Sequence, residues 1–138
     1  MKKLLLALAV SLPLFAQQPP QEDPIGQNLV PPDLIMAHQD EIGLQERQRT
    51  AIKNEVLKTQ PKFLEWQWQL GEETQRMVAL LRATPVDEAK VLEQADRIMG
   101  IEREVKRAHL GMLVRLKNLR TPEQIARLQQ MRRGAAGS

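Results

Sequence analysis

Few side chains here can do chemistry. The chain of 138 residues has no Cys and no Tyr, and its only Ser residues are Ser11 and Ser138. Thiol, phenol and serine nucleophiles are therefore missing from the body of the chain, and no Gly-rich phosphate loop is present. What remains is imidazole, carboxylate and thioether. His109 and Met112 are spaced one helical turn apart, and Glu102 precedes His109 by two turns. His38 can join them if its segment folds over, and Glu55 if its own helix packs alongside. Such a set would suit zinc, cobalt or nickel. The competing reading makes His109 a core histidine bonded to a carboxylate. No His-x-x-x-His pair argues for the metal. With no nucleophile and no assembled acid–base set, the chain reads as a binding protein that carries no cofactor, not an enzyme.

The elements that must position these side chains are helices. From Asp87 to Leu119, spacing by fours and threes picks out Val91, Ala95, Ile98, Glu102, Val105, His109, Met112, Leu116 and Leu119. That is the seam of a helix lying along another helix. Leu92, Met99, Leu110 and Leu113 widen it into a broader apolar face. A matching seam runs Ile52, Val56, Thr59, Phe63, Trp66, Leu70, Glu73, Met77 and Leu80. Pro61 interrupts this second stretch, removing one backbone bond and crowding the carbonyl of Leu57. The seam keeps its register across it, which predicts one kinked helix; two helices with a tight joint are the alternative. Ala83 to Val86 makes a short turn, and Asp87 caps the next helix. So short a connection requires an antiparallel hairpin.

Shorter helices flank the hairpin. Asp33 reads as the cap of a short helix that stops at Gly43. Thr121, Pro122 and Gln124 form a capping box that starts a last helix, with Ile125, Leu128 and Met131 as its stripe. Before all of this, Lys2, Lys3 and the apolar run Leu4 to Phe15 read as a signal peptide, cleaved near Ala16. The run is too short to span a bilayer, so an exported, periplasmic protein is expected. Residues 17–32 hold five prolines and read as a disordered linker that buries little. Residues 134–138 read as a fraying tail. The expectation is an all-α domain of four helices over 33–133.

Charge is divided along the chain. Residues 17–96 carry eight basic and fourteen acidic side chains, whereas 97–133 carry ten basic and three acidic. Export argues against nucleic acid as the partner of the basic half. Most of these cations are expected to be solvated or paired with the acidic half; Arg97, Arg103, Arg107 and Arg115 are the candidates for drawing in an unfolded or partner protein. Phe63 and Trp66 fall on the seam, but Trp68 points elsewhere. An off-seam Trp marks a contact with a second copy or a client, the former favoured.

The run Leu119-Arg120-Thr121-Pro122-Glu123-Gln124 resembles the Leu-Thr-Pro-Glu-Gln motif of the Spy/CpxP family of periplasmic chaperones and stress sensors. Leu44-Gln45-Glu46-Arg47-Gln48 would be the other copy, with Gln45 in place of Thr; in the second copy Arg120 stands where the family has Leu. The resemblance covers residues 33–131 in layout and only short motifs in identity. It implies a long bent helical hairpin with short terminal helices, paired into a curved homodimer. It also implies one of three roles: holding unfolded clients without ATP, an envelope-stress accessory, or sensing a divalent metal ion. A plain helical adaptor is the remaining alternative.

Overall fold

The computed structural model describes residues 23–137. The expected signal peptide, residues 17–22 and Ser138 lie outside them. Five helices follow in order: α1 (Pro24–Asn28), α2 (Pro32–Ala37), α3 (Glu46–Leu81), α4 (Glu88–Asn118) and α5 (Pro122–Ala136). No strand occurs among the described residues, and the all-α class is borne out. α3 and α4 pack along each other. The contacts Glu55–Arg115, Phe63–His109 and Glu73–Gln94 advance on one helix as they retreat on the other, so the pair is antiparallel.

α3 runs unbroken through Pro61. The proline faces solvent, so its ring displaces no core side chain. Restoring the lost backbone bond with Pro61→Ala should raise stability by about 1 kcal/mol, because part of the helix gain is offset by the added freedom of the unfolded chain. A urea titration checks this.

Every α3 seam residue from Ile52 to Leu80 is at least partly buried, as expected. α4 is different. Glu102 and His109 were expected on its seam, yet both are exposed, and Gln94, Ile101 and Ala108 turn inward beside Val91, Ile98 and Val105. The helix has rolled by about half the angle between neighbouring residues. The cause is desolvation. Ile101 and Ala108 enter the contact at no polar loss, whereas an inward Glu102 would give up water without a partner. Gln94 enters because its amide donates to the Glu73 backbone carbonyl at 2.8 Å and to the Glu73 carboxylate.

The core lies at the open end of the hairpin. Val30, Ile35, Ile42, Leu44, Ile52, Met112, Leu116 and Leu128 form one buried cluster. Each large apolar side chain so buried contributes about 1.5–3 kcal/mol. The turn between α3 and α4, by contrast, is exposed throughout residues 81–90.

Four expectations about boundaries need correction. The Pro-rich stretch was expected to bury little, but Pro24 opens α1, and Leu29 and Val30 enter the core at 9 % and 2 % exposure. Prolines at the first helical turn pre-set the backbone angle and sacrifice an N–H that has no helical partner anyway. For the same reason α2 starts at Pro32 with Pro31 as its cap, so Asp33 stands in the first turn and not at the cap. α5 continues to Ala136 instead of fraying from Gly134. Nor does α2 run to Gly43: it stops at Ala37 with His38 as its C-cap, and Gly43, at φ +71° in a backbone region that favours glycine, closes the turn that follows.

Two capping boxes meet at this open end. Gln45 and Thr121 are the caps of α3 and α5. The Oε1 atoms of Gln48 and Gln124 accept from the N–H groups of Gln45 and Thr121 respectively, each at 2.9 Å. The two glutamines also bond to each other, Nε2 to Oε1 in both directions, at 2.8 and 3.0 Å. Each then donates to the loop of the opposite motif, Gln48 to the Leu119 carbonyl and Gln124 to the Gly43 carbonyl, both at 3.0 Å. The clasp is thus pseudo-symmetric. It joins the start of α3 to the end of α4 and the start of α5.

Candidate functional site

Heptad spacing gives the hairpin two unlike flanks. On α3, Leu57, Leu64, Gly71 and Val78 recur every seven residues, one step outside the seam. On α4, Leu92, Met99, Lys106 and Leu113 do the same. In an antiparallel pair, equivalent positions fall on the same side of the contact plane. Both rows therefore border one flank. Leu57, Leu64, Val78, Leu92 and Met99 are all exposed there, Leu92 at 57 %. Leu110 is exposed on the same side of α4, next to Leu113.

The opposite flank is charged. It carries the ion pairs Lys62–Glu65 at 3.0 Å, Arg97–Glu93 at 3.1 Å and Arg115–Glu55 at 2.8 Å. These are exposed or half-exposed pairs, each worth less than about 1 kcal/mol. Their larger effect is to keep that flank wet. An apolar segment of another molecule can lose water only on the first flank.

The expected client-binding cations divide accordingly. Arg97 and Arg115 are held in ion pairs on the charged flank. Arg103 and Arg107 border a surface groove with Met99, Glu102 and Leu110, as does Lys106. Sequence reasoning passed over Lys106 as one cation among ten; its seven-residue spacing from Met99 and Leu113 was the available signal. Trp68 is 70 % exposed on α3 and stands beside Leu64 and Gly71. A glycine there leaves a shallow dent next to a large protruding ring. Lys62 lies over Trp66, 5.4 Å from its ring centre, and Phe63 meets both Trp66 and His109 edge-on.

The five expected metal ligands are dispersed. His38 Nδ1 lies 3.1 Å from the Glu41 carboxylate. Glu55 accepts from Arg115. Met112 is buried in the core. Glu102 and His109 are exposed on α4, and the His109 ring rests edge-on against Phe63 at 6.2 Å between centres. No group of three or more His, Asp or Glu side chains able to hold an ion occurs among the described residues. Within one chain these residues do not fit a metal, which needs three or four converging donors.

A family model described as heavy-metal resistance matches residues 4–127. The chain belongs to the heavy-metal resistance family. Membership agrees with the resemblance to the Spy/CpxP group. No curated protein and no solved structure matches the chain. Among the described residues no helix is long and apolar enough to cross a membrane. Among its described residues this member of the heavy-metal resistance family thus presents an apolar flank and no ion-holding cluster.

Proposed function

We propose that the protein is an exported, non-catalytic binding protein that contributes to metal tolerance by gripping apolar stretches of unfolded or partner polypeptide. The observation that carries this is the pair of exposed apolar rows bordering one flank of α3 and α4. Arg103, Lys106 and Arg107 beside Met99 and Leu110 give that flank a cationic margin. Long-range attraction raises the capture rate of acidic chains, and apolar contact then holds them. A second copy packing on the Trp68–Gly71 surface of α3 would leave the α4 row free for a client. No nucleotide is required.

A chemically unfolded client diluted into the protein tests the reading. Aggregation, followed by light scattering, should be suppressed without ATP. Replacing Leu92 and Met99 together by Glu should weaken suppression roughly tenfold, as expected when two large apolar contacts are lost. Raising salt should slow capture more than it speeds release. Equal suppression by the double variant would remove the flank as the binding surface.

Membership in the heavy-metal resistance family favours a second reading, direct binding of a divalent ion. Because the candidate donors are dispersed in one chain, such a site would need donors from a second copy. Calorimetry with zinc and with nickel, beside His109→Ala, decides it. The expected result is no saturable heat from the monomer; a His109-dependent isotherm would restore the metal reading.

A further inference from the structure

A groove of about 900 Å³ lies between α1 and α4, and it answers to a different ligand from the open flank. Ile25, Leu29, Leu110 and Leu113 give it apolar walls, and Lys106 and Arg132 supply cations. Its volume falls within the range of about 300–1,000 Å³ usual for small-molecule sites.

The hydrogen bonds around the groove limit what can enter. α1 ends with carbonyls that a helix leaves unpaired, and these are already taken. Arg132 Nη1 donates to the carbonyls of Gly26, Gln27 and Leu29 at 3.2–3.4 Å. Gln129 donates to the Gln27 carbonyl at 2.9 Å, and Lys117 to the Asn28 carbonyl at 3.0 Å. The α4 backbone is satisfied within its own helix. A peptide laid in the groove would find no row of backbone partners, and its desolvated amides would be penalised. A hydrocarbon chain has no such need.

The charges select the other end of the ligand. Lys106 makes no ion pair with any described residue, and Arg132 bonds only to neutral carbonyls, which leaves its charge uncompensated. Asp23 is the one carboxylate on the groove, and it is engaged as the cap of α1, accepting from the Ile25 N–H at 3.1 Å. We propose that this groove binds a long-chain fatty acid, with the acyl chain between α1 and α4 and the carboxylate at Lys106 and Arg132. The groove shares Lys106, Leu110 and Leu113 with the α4 side of the apolar flank, but Leu92 and Met99, whose replacement tests polypeptide binding, lie outside it, so the two proposals fail separately.

The full chain is titrated with palmitate carrying a ¹³C-labelled carboxyl group, below its critical micelle concentration, and followed by NMR and by calorimetry. Saturable one-to-one binding is expected, with a carboxyl resonance shifted from that of free palmitate. Lys106→Gln should weaken binding roughly tenfold, the effect of one charged hydrogen bond. Hexadecanol, equal in chain and lacking the charge, should bind weaker than palmitate by a similar factor. Leu113→Asn should abolish binding, and Leu64→Asn, on α3, should leave it unchanged. Circular dichroism of each variant confirms that the helices are intact. Non-saturable uptake, equal affinity for hexadecanol, or indifference to both Lys106→Gln and Leu113→Asn would overturn the proposal. So would displacement of palmitate by an apolar peptide at lower concentration.

Discussion

Replacing Gln124 with alanine is expected to lower stability by about 2–4 kcal/mol, because one side chain serves four hydrogen bonds in a buried setting. Truncation leaves the Gly43 carbonyl and the Thr121 N–H without their partner and strips Gln48 of its mate. Gln124 itself is buried, so water cannot freely replace what is lost. Gln48→Ala should cost slightly less, since Gln48 is only partly buried. Once either glutamine is gone, the bonds between them no longer exist to be broken. The double variant should therefore fall short of the sum of the two by about 1–2 kcal/mol. Urea unfolding of the four proteins measures this. Gln129→Ala, which removes one exposed bond in the same helix, is the control and should stay within about 0.5 kcal/mol of the parent. Strict additivity of the two clasp substitutions would mean that the reciprocal bonds contribute nothing.

The clasp also explains which parts of the fold were legible in the sequence. Thr121, Pro122 and Gln124 announce a capping box by residue type alone, and α5 begins there. Gln45 announces nothing, because glutamine is a poor cap. Its box was visible only through its likeness to the second copy. Neither copy by itself indicates that the two meet, since that requires the hairpin to bring residues 45–48 beside 121–124. The α3 seam was legible because the other partners that four-and-three spacing offers Val56, Phe63 and Leu70 are Gln60, Gln67 and Thr74, all polar. The α4 seam was ambiguous for a physical reason. Ile98, Val105 and Met112 can pair either with Glu102 and His109 or with Ile101 and Ala108, and both choices obey spacing by fours and threes. Desolvation of Glu102 decides between them, and spacing carries no record of that term.

The candidate site was misjudged for the same reason. His109, Glu102 and Met112 share a stripe on an isolated helix, yet the roll of α4 places Met112 in the core and the other two in water. The basic residues looked alike in the sequence. The ion pairs with Glu93 and Glu55 separate Arg97 and Arg115 from Arg103 and Arg107, and spacing does not reveal this, since Glu104 stands one turn before Arg107 without pairing with it. α1 escaped notice because five prolines in sixteen residues ordinarily mean an unfolded leader. Here Arg132, Gln129 and Lys117, about a hundred residues away, hold its carbonyls.

Arg120→Leu is expected to raise stability by about 1–3 kcal/mol, the gain seen when a poorly compensated buried charge gives way to an apolar side chain of similar size. The pseudo-symmetry of the clasp supplies the argument. Arg120 precedes the cap Thr121 as Leu44 precedes the cap Gln45, and both are buried, at 6 % and 4 % exposure. Leucine at this position is therefore compatible with the local backbone. The arginine is poorly served there. Its Nε donates to the Leu116 carbonyl at 3.3 Å, and its Nη1 is buried with no hydrogen-bond partner. Burial lowers its pKa below the ordinary arginine value. The sign of the pH effect follows. In the alkaline window between the lowered value and the ordinary one the unfolded chain binds more protons than the folded one, so stability rises with pH there. Arg120→Leu should abolish the rise while lifting stability at neutral pH. Arg120→Ala removes the same charge but opens a cavity, and should destabilise instead. Thermal and urea unfolding of the parent and both variants separate charge from volume. If leucine and alanine lower stability equally, the bond from Arg120 to the end of α4 outweighs the cost of burying its charge.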